Sequence, residues 1–267
     1  MSYHTFFGLK NKPFAADLPL DAILKTDDLL EVQQRILYTI DLGAIALVTG
    51  EVGAGKSTAL RWVCGHLHPS KYKTLWVTAT SGSILEVYRQ LLAELDIQTA
   101  SSSRAILTGL IRTQILNLIQ SKKQQPLLII DEASLLRLDV FAELHTLTQF
   151  DGDSKPYLPM ILAGQNNLAD NLLYRTAVPL ASRIVARRHL QEVNREGMER
   201  YLEHHLNIAG LKHSPFDTQA ITAIHQGSGG LFRKANHLAR GALVAATNEK
   251  SQVVTAEHVR RAATELF

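Results

Sequence analysis

The stretch Gly50-Glu51-Val52-Gly53-Ala54-Gly55-Lys56-Ser57 decides how this chain is read. It has the form G-x-x-x-x-G-K-[ST], the Walker A phosphate loop. Ala44-Ile45-Ala46-Leu47-Val48-Thr49 before it is an apolar run suited to a buried strand, and Thr58 to Val63 after it can start a helix. Strand, loop and helix in that order are the context the motif requires. Glycines let the backbone take positive φ and bring N–H groups against phosphate oxygens. The helix N-terminus adds a partial positive charge aimed at the anion. Lys56 is expected to reach the β- and γ-phosphates of ATP, and Ser57 to give its hydroxyl to Mg²⁺. Gly50 through Thr58 are the expected nucleotide contacts.

Further along, Pro126-Leu127-Leu128-Ile129-Ile130-Asp131-Glu132 supplies the complement. Four consecutive apolar residues predict a fully buried parallel strand. The two carboxylates at its end fall where ligands bind in open α/β sheets. Asp131 is expected to hold Mg²⁺, and Glu132 to polarise the attacking water as general base. The pair favours hydrolysis over storage of the nucleotide.

Strand and helix signals alternate through the first two thirds of the chain. Strands are predicted near 45–49, 74–78, 127–131, 158–163 and 184–186. Helices are predicted over 28–42, 84–95, 105–119 and 138–150, with Ser83 and Ser103 as caps. This alternation implies a five-stranded parallel sheet flanked by helices. Beyond about residue 190 only helices are predicted, over 196–206, 218–225, 231–246 and 256–266, with Asp217 and Thr255 as caps. The expected organisation is an α/β nucleotide-binding domain over 1–190, opening with an aromatic arm over 1–27, and a small helical domain over 191–267.

Composition agrees. The 267 residues are 46% hydrophobic, ample for a globular core. No stretch approaches the ~20 apolar residues of a membrane span, and the first ten residues lack a signal-peptide pattern. The single cysteine, Cys64, forms no internal disulfide, which fits a reducing cytoplasm. Residues 1–180 carry 16 Lys+Arg against 17 Asp+Glu, and residues 181–267 carry 12 against 8. That mild basic bias is compatible with nucleic acid and equally with a solvated face.

With these motifs in place, the chain resembles the AAA+ ATPases, in particular the group that includes the ExeA/GspA secretion ATPases and the transposition ATPases TniB, TnsC and MuB. The opening Tyr3-His4-Thr5-Phe6-Phe7-Gly8-Leu9-Lys10-Asn11-Lys12-Pro13-Phe14 is similar to the ExeA-type N-terminus. The resemblance implies a lid for the helical domain and further site residues. Gln165, with Asn166 as second choice, stands in the sensor 1 region. Arg183 stands where the family places its arginine finger, which reaches a neighbouring subunit's γ-phosphate. Arg233 matches sensor 2, although Phe232 precedes it where the family has proline. Phe14, with Phe7 and Pro13, is a candidate apolar wall for the adenine, or simply core.

The resemblance also implies biology. ExeA-like proteins continue into a membrane span and a peptidoglycan-binding domain, and these 267 residues contain neither. The expectation is therefore a cytoplasmic, Mg-dependent ATPase of the transposition type. It would assemble as a ring or filament with shared ATP sites on double-stranded DNA, without sequence preference. It would recruit a transposase or target-selection protein and disassemble on hydrolysis. Lys71, Lys73, Lys122, Lys123, Arg187 and Arg188 are the candidate phosphate contacts on that DNA. The alternatives are a soluble ExeA/GspA-like ATPase driving secretion or envelope assembly, and a barely hydrolytic nucleotide switch.

Overall fold

The computed structural model describes residues 2–265. Along the chain run α1 (Tyr3–Phe7), α2 (Asp27–Leu42), β1 (Ile45–Gly50), α3 (Lys56–Gly65), β2 (Tyr72–Thr78), α4 (Ile84–Glu94), α5 (Arg104–Gln120) and β3 (Gln125–Asp131). There follow α6 (Leu138–Thr148), β4 (Met160–Gly164), the short α7 (Asn167–Asn171) and α8 (Val178–Ala181), and β5 (Ile184–Leu190). The last four helices are α9 (Arg195–Ile208), α10 (Thr218–Ser228), α11 (Phe232–Asn248) and α12 (Ala256–Thr264). The chain divides into two compact units: a sheet unit of residues 26–50 and 56–190, and a helical unit of residues 1–25, 51–55 and 191–267.

In the sheet unit the strands lie in the order β2-β3-β4-β1-β5, every pair parallel. All six residues of β1 and all five of β4 are buried. Strands covered on both faces cannot alternate, which is why they appear as unbroken apolar runs. The core continues into α4, α5 and α6, where Tyr88, Leu91, Ile111, Ile115, Phe141 and Leu144 are buried against the strands. In α5 the buried positions Leu107, Ile111, Ile115 and Leu118 recur at helical spacing. At the outer edge, α4 closes β2. Trp76 N donates to Glu94 Oε2 at 3.2 Å, while the Gln90 amide accepts from Thr78 N and donates to Thr78 O, each at 3.0 Å.

The helical unit has its own core. Met198, Leu202 and Leu206 of α9 pack with Ile221 and Ile224 of α10, Leu238 and Leu243 of α11, and Val259 of α12. Asp217 caps α10, its Oδ1 accepting from Ala220 N at 2.6 Å. At the start of α12, Thr255 N donates to His258 Nδ1 at 2.9 Å. Phe7 and Phe14 belong to this core, so the aromatic arm sorts with the helices and not with the α/β domain where the sequence put it. The reason is local: the arm closes the end of α9, with Lys10 N and Asn11 N both donating to Ala209 O.

Other departures are small. Ser83 and Ser103 stand at the cap positions of α4 and α5 but make no side-chain capping bond. Helix α6 stops at Thr148 because Phe150 pairs with Lys155 across the turn of residues 151–154. Strand β5 runs to Leu190, four residues beyond expectation. The helix predicted over 256–266 is described as far as Thr264, and Leu266 lies outside the described residues.

Candidate nucleotide site

Strand order sets the site. β4 lies between β1 and β3, with Thr49 beside Gly164 and Ile130 beside Leu162. The C-terminal ends of the three strands therefore deliver Gly50, Gln165 and Asp131 side by side, spaced about 4.8 Å per strand. Lys56, the first residue of α3, is 6% exposed and its Nζ donates to Gly50 O at 2.8 Å. Burying an ammonium is costly, and the bond to the Gly50 carbonyl at the end of β1 offsets part of that cost. Ser57 follows, exposed.

Asp131 is 7% exposed, and its Oδ1 accepts from Glu132 N at 2.9 Å. Glu132 takes φ +55°, a left-handed conformation unusual for a residue with a long side chain. Such strain gathers at functional positions. After it, Ala133–Leu135 forms a 3-10 turn whose Ser134 Oγ accepts from Gln165 N at 3.3 Å. A Cβ on Gly164 would lie 2.8 Å from Ser134 N, so only glycine lets the ends of β3 and β4 meet here. Gln165 is half-buried and Asn166 is exposed.

Arg183 is not brought to these residues. Its carbonyl accepts from Ile45 N at 3.1 Å, at the opposite end of β1 from Gly50. Its guanidinium forms an ion pair with Asp153 and donates through Nε to His145 Nδ1 at 3.2 Å. The hydrogen bond from Arg183 holds the Asp153 carboxyl below its ordinary range. Burial, then the adjacent guanidinium, lowers the pKa of His145.

In the helical unit, the loop of residues 51–55 is shaped by Gly53 at φ +90° and Gly55 at φ +100°. Arg233 N donates to Gly53 O at 3.4 Å, and a Cβ on Gly53 would lie 2.8 Å from Arg233 Cβ. Phe232, where the family pattern has proline, packs its ring 4.4 Å from Tyr201 and lies beside Gly55. The substitution thus keeps the start of α11 against the loop by ring packing. Arg233 itself is exposed. Of the two readings of Phe14, adenine wall or core, its packing favours core. It is 1% exposed, with its ring stacked on His205 at 5.5 Å and edge-on to Phe216, so its faces are spent on packing and not on a base.

Ser134, Gly164 and the Thr49–His189 pair, Oγ1 to Nδ1 at 3.0 Å, were not legible beforehand, because each acts through a long-range contact. Within the sheet unit the donors fit MgATP: the buried ammonium of Lys56 for phosphate oxygens, and the Ser57 hydroxyl with the buried Asp131 carboxylate for a divalent cation.

Comparison with known proteins agrees with this geometry. Residues 40–172 match the family model described as "AAA domain". The chain is 29% identical over 267 residues to General secretion pathway protein A of Aeromonas hydrophila, covering 99% of this chain and 48% of that protein. It thus spans about half the length of this curated relative. Similar solved structures include Cdc6p from Pyrobaculum aerophilum, with a TM-score of 0.75 and 14% identity over 95% of this chain and 70% of that one. The Aeropyrum pernix ORC1 protein, solved in complex with DNA, has a TM-score of 0.69 and 17% identity over 95% of this chain and 68% of that one. The parallel order β2-β3-β4-β1-β5, the phosphate loop after β1 and the helical region beyond β5 together make this the AAA+ P-loop fold.

Proposed function

We propose that this protein is a Mg-dependent ATPase that uses the nucleotide state to control its assembly on double-stranded DNA. The observation that carries the chemistry is the buried Lys56, held on the Gly50 carbonyl at the end of β1, and the buried Asp131 at the end of β3, one strand apart in the sheet, with the strained Glu132 directly after. Backbone N–H groups of the loop would cradle the phosphates, and Lys56 would neutralise the β- and γ-oxygens. Ser57 and Asp131 would hold Mg²⁺, which when bound supplies charge neutralisation to the transferring phosphoryl group. Glu132 would take the proton of the attacking water, and Gln165 would orient that water. Arg233 would contact the nucleotide from α11. Arg183, remote from its own chain's phosphate loop, would act on the site of a neighbouring protomer. That arrangement makes ATP a bridge between subunits.

The DNA part of the proposal is supported by the fold shared with the Aeropyrum pernix ORC1 protein, solved in complex with DNA. A transposase or target-selection factor is the partner that the sequence resemblance suggests. A second reading, an ATPase serving secretion or envelope assembly, is favoured by the 29% identity to General secretion pathway protein A. The test is steady-state ATP hydrolysis with and without duplex DNA, for the wild type, Lys56→Ala and Glu132→Gln. Turnover that DNA raises and both substitutions abolish supports the first reading. Turnover indifferent to DNA moves the assignment to the second. Glu132→Gln turning over as slowly as the wild type would reduce the protein to a nucleotide switch.

A further inference from the structure

Of the six basic residues that the sequence offered as DNA contacts, the structure separates two from the rest. Arg188 is consumed by ion pairs with Asp28 and, at 2.7 Å, Glu31. Arg187 lies on β5, the far edge of the sheet from β2. The other four come together. Lys71 and Lys73 flank the start of β2, and Lys122 and Lys123 precede β3, its parallel partner, with Tyr72 beside Gln125 and Lys73 beside Pro126.

The two segments are clamped to each other. Gln125 N donates to Lys71 O at 2.7 Å, and Gln124 Nε2 donates to Pro69 O at 2.8 Å. The loop carrying Lys122 and Lys123 is itself fixed. Lys122 N donates to Asn117 O, Gln124 N to Leu118 O, and Lys123 takes the left-handed conformation at φ +55° in the turn that follows α5. The lysines are thus presented on a rigid platform rather than on a loose tail.

Residues 66–74 and 120–125 contain no acidic residue, and His66 and His68 add further donors. Among the described residues the acidic side chain paired with one of these lysines is Asp96, 4.0 Å from Lys73 and 89% exposed, a pair too hydrated to cancel the field. Lys71, Lys122 and Lys123 are exposed, and no large apolar side chain is exposed in either segment. Membrane-surface docking joins basic residues to inserted apolar ones, so this purely polar, rigid cluster fits a phosphate backbone better. It stands at the N-terminal ends of β2 and β3. Asp131 ends β3 six residues after Gln125, so about 20 Å of strand separates platform and nucleotide site.

We propose that this platform, Lys71, Lys73, Lys122 and Lys123, is where the sheet unit grips the sugar-phosphate backbone of duplex DNA. The inference rests on the DNA reading above and adds its surface. Four phosphate contacts contribute about −3.6 to the slope of log affinity against log salt, or about a 10²-fold loss between 50 and 200 mM.

The test is binding of a fluorescent random-sequence duplex by the full chain with a slowly hydrolysed ATP analogue, titrated with salt. The wild type is compared with a variant carrying Lys71→Gln, Lys73→Gln, Lys122→Gln and Lys123→Gln, and with Arg187→Gln as a control. These are surface changes away from the ATP site, and unaltered DNA-independent ATPase activity confirms that the variant is folded. The expected result is weaker binding at low salt with a slope shallower by 3 to 4, so that the gap to the wild type narrows about 10²-fold between 50 and 200 mM, and no change for Arg187→Gln. Equal binding and equal slopes for wild type and quadruple variant would overturn the platform and leave the DNA reading standing. No DNA binding by the wild type would overturn both. Lysine-dependent binding to vesicles of anionic lipid in place of DNA would reassign the surface to a membrane and also overturn the proposal.

Discussion

Acid should loosen the helical unit through one residue, His205. It is 5% exposed, with its ring between Tyr201 at 4.4 Å and Phe14 at 5.5 Å. Burial, then the neighbouring His204, pushes its pKa down to about 4. An unfolded histidine titrates near 6.5. Between those values the unfolded chain binds the proton and the folded chain does not, so stability falls as pH falls. The contribution is fully present above pH 6.5. It is reduced by about 2 kcal/mol at pH 5 and about 3 kcal/mol at pH 4, relative to neutral pH. Urea unfolding followed by circular dichroism at several pH values measures this. His205→Leu removes the titrating group, and its stability should fall less steeply over the same range by those amounts. Other groups titrate in both proteins and cancel in the difference. A direct check is the NMR titration of the His205 ring. A midpoint near 6.5, or parallel loss of stability in wild type and variant, would refute the reasoning.

Cys64 makes a second prediction, since burial pushes its thiol up to about 12. Alkylation at pH 8 should be slow in the native protein and fast in urea, and rapid native labelling would contradict the burial. Glu132→Asn should stabilise the protein by about 1 kcal/mol by relieving the left-handed strain, while abolishing ATP turnover; a thermal melt and a phosphate-release assay report the two effects. Gly53→Ala would force a Cβ to within 2.8 Å of Arg233 Cβ at a position already at φ +90°. Nucleotide affinity, read by equilibrium titration with a fluorescent analogue, should drop, and wild-type affinity would show that the loop has room to give.

The parts of the fold visible in the sequence were those with a covalent or periodic signature. β1 and β3 are buried on both faces, so their apolar runs are unbroken. The phosphate loop announces itself through glycine spacing. β5 was shortened because an edge strand keeps polar groups: Arg187 is exposed, and Arg188 is tolerated only because Asp28 and Glu31, far away in sequence, neutralise it. Arg183 is singled out by resemblance alone, and its cis partner Asp153 sits thirty residues upstream in a turn without regular pattern. Phe14 was ambiguous for a related reason. An aromatic ring is equally good as a ligand wall or as core, and only the fold says that His205 and Phe216 already occupy its faces.

The seal that α4 places on β2 has a consequence for how this protein meets copies of itself. Gln90 imitates a one-residue strand, satisfying both the N–H and the C=O of Thr78, and Glu94 blocks Trp76. A newcomer strand finds those three ladder groups already taken. A ribbon that grows by adding sheet to sheet needs two receptive sides on every member. With the C-terminal half of one side occupied, strand pairing between copies at that edge must first displace two side chains of one helix.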